Sequence, residues 1–317
     1  MKTRLIVSSL VLPLALAACA GGGGGGGSST PVAPPPAPVP VTVSGDAVGS
    51  TYTLNNSTLA ATISPSPVDT ATTLTTTGLV GRNGATGNVT SATINSTNAA
   101  VAGPSTSLTV NSSSSNSLDK FVVTDPNSQI VGNTAAITVA TSTTQQYSYL
   151  TYGTWSNCGS GCGTTAETGV AGWFVAGQNT PFASIPTSGT ATYNGSTDGN
   201  FFNGGASKRV RSDLAVTATF GNGSGSLGFA TSNSEFVDPL GNNAVLAPNL
   251  DMSGTLTYSG SNSFSGSVTA VGMTGTATGR FYGPTVGVAP NVHPAEIGGV
   301  YSLSGGGQTN IGSFVAK

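Results

Sequence analysis

The chain has 317 residues, of which only 6% are charged, and its acidic residues outnumber its basic ones. This charged fraction is far below the usual quarter, and nothing in it forms an electrostatic surface for nucleic acid, so that class of partner is excluded. Low charge with many small polar residues is typical of an extracytoplasmic β-protein and differs from the high-charge signature of intrinsic disorder.

Residues 1–18 have the pattern of a bacterial lipoprotein signal peptide. Lys2 and Arg4 form a short basic region, and 5–14 form an apolar segment that is too short to span a bilayer as a stable helix. The sequence LAAC at 16–19 resembles the bacterial lipobox, whose cysteine is acylated before cleavage. We therefore expect Cys19 to carry the lipid. The alternative is an ordinary signal peptide with Cys19 merely nearby.

Residues 19–40 read as a tether between the lipid and the folded part. A glycine run at 21–27 gives flexibility, and a proline-rich stretch at 31–40 gives a stiffer, extended spacer. Cys19 is followed by Ala20 and not by the aspartate of an inner-membrane retention signal. The lipoprotein resemblance therefore implies sorting to the outer membrane, with the acyl chains embedded in its lipid.

Residues 41–144 are rich in Ser, Thr, Ala and Asn and poor in aromatic residues. Short alternating runs at 58–63, 107–110 and 121–123 each predict a strand bounded by turn residues. Because the apolar side chains are small and sparse, we expect a thin β-rich region that is partly disordered, including 111–116.

Aromatic residues become regular from 145 to 317, and period-two runs recur about every ten residues. This pattern predicts an all-β fold, either a sandwich or an up-and-down barrel. Glycines inside the strands, such as Gly275 and Gly279, would let strands bend and let large side chains fill a small barrel. Tyr193, Trp173 and Phe281 are interpreted as core filling, with a ligand pocket as the alternative. The clearest runs are 190–193, 214–220, 254–258 and 274–281.

Cys158 and Cys162 are separated by three residues. In an oxidising compartment this spacing predicts a disulfide that closes a tight loop. The spacing is wrong for a thioredoxin-like redox pair, and no second Cys or His pair completes a zinc site. No metal and no cofactor is therefore expected.

A series of motifs in 145–317 resembles the C-terminal eight-stranded barrel of the transferrin-binding protein B family and its solute-binding lipoproteins. The motifs are YGTW at 152–155, GWFVAGQNTP at 172–181, DLAVTATFGNG at 213–223, GRFYGP at 279–284, AEIGGVYSL at 295–303 and GSFVAK at 312–317. The resemblance implies an eight-stranded antiparallel up-and-down barrel at 145–317, with 41–144 as a handle-like region. It also implies a surface lipoprotein that captures iron carriers, haem or other solutes. These are framework motifs, so no binding residue is carried over.

Three residues are candidates for ligand contact. His293, the single histidine, could ligate haem, although its Asn and Pro neighbours favour a solvated loop. Arg209 and Arg211 follow Lys208 in the one basic cluster and would share a strand face, where they could meet an anionic ligand. A solvated strand start is the alternative reading of that cluster.

The favoured hypothesis is an outer-membrane binding lipoprotein, facing either the cell surface or the periplasm, that captures an unidentified protein or solute through loops on a rigid barrel. Haem or an iron carrier is a candidate ligand. The alternatives are a structural or adhesive surface lipoprotein and a dedicated haem-binding protein. An enzyme is not expected, because ionisable groups are few and no nucleophile elbow is visible.

Overall fold

The computed structural model describes residues 41–317 with short gaps. The gaps are 56–59, 66–68, 77–90, 97–106, 111–112, 118–119, 141–143, 163, 165, 205, 238–243 and 290. The regular structure of the described ranges is almost entirely β-strand, which confirms the all-β prediction. No helix in this part of the chain has both the length and the apolar character needed to cross a membrane.

Twelve of the described strands precede the barrel. They are β1 (Val41–Asn55), β2 (Ala60–Pro65), β3 (Asp69–Thr76), β4 (Ala92–Asn95), β5 (Ser107–Val110), β6 (Ser113–Ser117), β7 (Lys120–Thr124), β8 (Ser128–Asn133), β9 (Ala135–Ile137), β10 (Thr144–Gln146), β11 (Leu150–Ser160) and β12 (Ala166–Gly177). Ten of them form one sheet, here called the first sheet, in the order β5-β4-β3-β1-β12-β11-β8-β7-β6, with β2 beside the second half of β1. Strands β9 and β10 form a separate ribbon.

The predicted runs at 107–110 and 121–123 coincide with β5 and β7, and 58–63 overlaps β2 from Ala60 onward. The expectation of disorder at 111–116 was wrong for Ser113–Asn116, because these residues belong to β6 and pair in register with β7. The backbone of Ser114 and Ser115 pairs with Val123 and Val122 of β7, which is sufficient to form a strand.

Eight described strands close into an antiparallel barrel. They are β13 (Thr190–Asn203), β14 (Ala206–Phe220), β15 (Ser224–Val237), β17 (Ser253–Ser259), β18 (Ser263–Ala270), β19 (Met273–Val286), β20 (His293–Gly305) and β21 (Gln308–Ala316). Each strand pairs with its neighbours in the chain, and β21 pairs with β13 to close the ring. A three-residue strand, β16 (Ala244–Leu246), lies outside the ring beside the end of β15. The predicted up-and-down barrel is confirmed.

The interior of the barrel follows from residue alternation. In β14, Val210, Ser212, Leu214 and Val216 are buried, while the side chains that alternate with them are more exposed. Phe281 lies at the centre, with the rings of Phe220, Tyr258 and Phe264 at centroid distances of 5.1–6.0 Å. Each such buried side chain contributes roughly 1.5–3 kcal/mol. Tyr193 is also buried in this cluster, as the core interpretation predicted.

The barrel begins at Thr190, whereas the sequence placed its start at 145. Strands β11 and β12 pair with β8 and β1 of the first sheet and with each other. Their aromatic residues produced the error, because Trp155 fills the core of the first sheet and Trp173 fills the contact between that sheet and the barrel. Aromatic content therefore does not distinguish a barrel strand from a strand that packs against the barrel.

Buried carboxylates tie the first sheet and its connections to the barrel. Arg280 on β19 donates from Nε to Oδ1 of Asp46 on β1, at 3.2 Å. Glu296 on β20 accepts the backbone N–H groups of Ser148 and Tyr149 at 2.6 and 3.0 Å. Asp46 and Glu296 thus accept hydrogen bonds from polar groups across the boundary between the two parts.

The barrel has two distinct ends. One end, here called the His293 end, carries the β19–β20 connection and the β14–β15 turn. The other, here called the β16 end, carries β16 and the β18–β19 and β20–β21 turns. Strand β1 starts beside the His293 end, because Ser44 pairs with Gly177 and the adjacent Gln178 accepts the N–H of Gly283 at 2.7 Å.

Candidate functional site

A cavity of about 640 Å³ opens at the β16 end of the barrel and is here called the cup. Its floor includes Phe201, Phe236 and Leu250, and its rim includes Val245, Leu246 and Val271. The volume lies within the roughly 300–1,000 Å³ of small-molecule sites. The cup is therefore large enough to take a small molecule or an apolar side chain of a partner.

The rim exposes apolar side chains to solvent. Val245, Leu246 and Val271 are 63%, 73% and 67% exposed, although they come from two different connections of the barrel. Single exposed apolar residues are ordinary, but several that converge on one cavity typically mark a binding surface. The rim thus offers apolar contact area that the described residues leave exposed.

Residues 244–252, which precede β17, are held in place by backbone hydrogen bonds. Ala247 N–H donates to the Ser234 carbonyl at 2.7 Å, and Leu250 N–H donates to the Ala247 carbonyl at 2.9 Å. Val271 N–H donates to the Asn249 carbonyl at 3.2 Å and so connects the β18–β19 turn to this segment. The described wall of the cup is therefore formed before any ligand arrives, which lowers the entropy lost on binding.

One positive charge lies in the cup. The Nζ atom of Lys208 is 4.8 Å from the centre of the Phe236 ring, a cation–π geometry. Among the described residues that line the cup, Lys208 is the only charged one, and Asn203, Asn249 and Gln308 supply amide groups. The cup therefore combines an apolar floor with one cation and neutral hydrogen-bonding groups.

Arg209 and Arg211 do not reach the cup. They lie on the outer face of β14, and Arg209 donates from Nε to Oδ1 of Asp198 at 2.8 Å. The hydrogen bond to Asp198 raises the pKa of Arg209 above its usual value. Asp198 already balances the charge of Arg209. Of the three basic residues in this cluster, Lys208 is the one that lines the cup, so it is the candidate for contact with an anionic ligand.

His293 lies at the opposite end of the barrel from the cup. It is the first residue of β20, pairs with Val286, and is half-buried, so the interpretation as a solvated loop residue was wrong. Its ring packs edge-on against Tyr193 with a centroid distance of 5.4 Å, and Nδ1 is 2.8 Å from the Pro294 carbonyl oxygen. No group of three or more His, Cys, Asp or Glu residues in the described ranges is arranged to hold a metal ion.

Cys158 and Cys162 are brought together at the turn of the β11–β12 hairpin, Cys158 near the end of β11 and Cys162 in the turn. Their Sγ atoms are 2.00 Å apart and their Cα atoms 5.8 Å apart. Neither cysteine lines the cup. Cys19, the expected lipidation site, lies outside the described residues.

The sequence reasoning overlooked the rim of the cup. The apolar pair Val245 and Leu246 stands in a segment of Gly, Asn and Pro residues, 241–249, that otherwise reads as a turn. The sequence offered one signal of an exposed binding residue here: two adjacent apolar residues, Val245 and Leu246, for which no strand partner was expected. Lys208 lines the same cavity as this pair only because the barrel closes, and no local sequence pattern indicates that.

Comparisons with known proteins find structural but not sequence relatives. No protein-family model and no curated protein matches this chain. Transferrin-binding protein B of serogroup B Neisseria meningitidis is 14% identical, with a TM-score of 0.41 over 79% of this chain and 52% of that one. HpuA of Kingella denitrificans, solved with human haemoglobin, is 13% identical, with a TM-score of 0.36 over 90% and 89%.

A transferrin-binding protein B variant of Haemophilus parasuis Hp5 is 12% identical, with a TM-score of 0.35 over 88% of this chain and 76% of that one. The present chain spans about half the length of the Neisseria meningitidis protein. The chain is thus similar, at low identity, to transferrin-binding protein B and to HpuA.

Proposed function

We propose that this protein is a lipid-anchored outer-membrane lipoprotein of the transferrin-binding protein B type that captures a solute or a protein partner at the cell surface. The observation that carries the proposal is the cup, where connections of a closed barrel present apolar side chains to solvent. Binding groups on the connections of a rigid scaffold are the usual arrangement in binding proteins.

Strand β1 starts beside the His293 end of the barrel, whereas the cup opens at the β16 end. The expected tether and the acylated Cys19 precede β1 and lie outside the described residues. A disulfide between Cys158 and Cys162 completes the proposal, since the protein would fold in an oxidising compartment.

Neither alternative gains support from a specific observation. His293, the candidate haem ligand of the sequence, packs against Tyr193 at the end remote from the cup. A purely structural or adhesive role does not account for a preformed cavity with one cation.

Surface location is tested by thiol labelling on intact cells with a membrane-impermeant maleimide. The variants are Val271→Cys in the cup rim and Val288→Cys, which is 83% exposed at the His293 end. We expect both to be labelled on intact cells and the parent protein to stay unlabelled, because its remaining cysteines would be acylated or disulfide-bonded. Labelling that occurs only after lysis would place the protein in the periplasm and contradict the proposal.

A further inference from the structure

We infer that the cup binds an amphipathic anion with a single acyl chain and one carboxylate, of the fatty-acid class. The chain would lie on the apolar floor, and the carboxylate would meet the ammonium group of Lys208. This inference rests on the proposed function, in which the barrel is a binding module, and it names the chemical class of the ligand.

The shape and lining of the cup favour a small apolar body. The Phe201 and Phe236 rings lie 5.7 Å apart and form a continuous apolar surface with Leu250. A flexible acyl chain can follow such a floor while Val245 and Val271 cover it from the rim. Each methylene removed from water contributes about 0.8 kcal/mol, so a chain of moderate length suffices for measurable affinity.

The charge of the cup selects the head group. Lys208 has no ion pair with a described carboxylate, in contrast to its neighbour Arg209, which is held by Asp198. A single ammonium beside an apolar floor complements one negative charge at the end of an apolar chain. Phosphate-rich ligands such as nucleotides are a poor match, because the described lining offers only this one cation.

The amide groups of the rim complete the recognition. Asn203 on β13 and Gln308 on β21 face each other across the strand pair that closes the barrel, and both line the cup together with Lys208. Their side chains can donate to the second carboxylate oxygen, so an ionised head group would be satisfied without entering the apolar floor.

The test is calorimetric titration of the full chain carrying Cys19→Ser with dodecanoate below its micellar concentration. The substitution prevents an attached acyl group from competing. We expect saturable 1:1 binding, about tenfold weaker in Lys208→Gln, as for the loss of a charged hydrogen bond, and restored in Lys208→Arg. Val271→Asp should abolish binding, whereas Val288→Asp, an exposed site at the other end, should leave it unchanged.

The ligand itself supplies a second control. Dodecyltrimethylammonium has the same chain length with the opposite charge and should bind much more weakly than dodecanoate. Thermal unfolding followed by circular dichroism checks that every variant is folded, and methyl resonances of Val245, Leu246 and Val271 locate the site.

Two outcomes would overturn the inference: no saturable binding of dodecanoate, or equal binding by the parent chain and Lys208→Gln. Neither would affect the surface location, because that is decided by thiol labelling on cells. Conversely, labelling confined to lysed cells would contradict the proposed function while leaving the calorimetric result intact.

Discussion

At the scale of single residues, the burial of the Asp46 carboxyl group is unfavourable by itself, but it allows an ion pair with Arg280. Its side chain is fully buried, and its Oδ2 atom has no hydrogen-bond partner among the described residues. Burial raises the pKa of Asp46 to about 7, although Arg280 acts in the opposite direction. Arg280 also donates to the carbonyl of Thr70, so this pair connects β19 to β1 and β3 at once.

Asp46→Asn should change how stability depends on pH. The pKa of Asp46 is higher in the folded chain than its value of about 4 in the unfolded chain. The folded state therefore binds the proton more tightly, and this stabilisation is complete at pH values below about 4. The contribution is lost as pH rises to about 7. The free energy of unfolding of the parent minus that of Asp46→Asn should therefore fall between pH 4 and pH 8, by on the order of 4 kcal/mol.

Urea unfolding at a series of pH values measures this difference. Asp125→Asn, in the turn between β7 and β8, is the matched control, because Asp125 accepts N–H groups of its own turn only. A difference between parent and Asp46→Asn that stays constant across the pH range would show that Asp46 is not buried as described.

At the scale of elements, glycine in β19 allows aromatic side chains to fill the barrel. A Cβ at Gly279 would lie 2.5 Å from the Gly298 carbonyl oxygen and 2.7 and 2.8 Å from the rings of Phe264 and Phe314. Gly228 in β15 is a matched control, because a Cβ atom added there would have space. Its nearest neighbour, the Thr217 carbonyl oxygen, would be 3.9 Å away.

Gly279→Ala should destabilise the protein by about 1–3 kcal/mol, because the two rings and the backbone cannot all move away. Gly228→Ala should be neutral or slightly stabilising, since alanine restricts the unfolded chain. Denaturant midpoints of the two variants give the comparison. Equal midpoints would show that the rings do not pack on Gly279.

The elements also show what a sequence can and cannot predict here. Alternation in 214–220 and 274–281 predicted β14 and β19, because one face of each strand must be buried. The pairing of β1 with β12 joins residues more than a hundred positions apart, and no local pattern encodes it. The sequence did not indicate the cup for the same reason, since Lys208 and Val271 come to line one cavity only when the barrel closes.

At the scale of the whole molecule, the first sheet and the barrel share an apolar interface. The sheet contributes residues including Val48, Trp173 and Val175, and the barrel contributes residues including Val300 and Val315. Each part also has its own core cluster. The interface therefore decides whether the two parts unfold together, since each core could in principle persist alone.

We expect the parent chain to unfold in one transition and Val300→Asp to unfold in two. Both tryptophans, Trp155 and Trp173, belong to the first sheet, so fluorescence reports that sheet while far-UV circular dichroism reports both parts. In the parent the two signals should have the same urea midpoint. A charge at the buried position 300 should separate the parts, because an unpaired buried carboxylate is strongly unfavourable.

In Val300→Asp, the fluorescence midpoint should then fall below the circular dichroism midpoint, since the barrel retains its larger core while the first sheet loses its support. Val288→Asp, which adds the same charge at an exposed site, should leave the two midpoints equal. Separate transitions in the parent chain would mean that the sheet folds without the barrel. Coincident transitions in Val300→Asp would mean that contacts outside this apolar interface, such as the Asp46–Arg280 pair, couple the two parts.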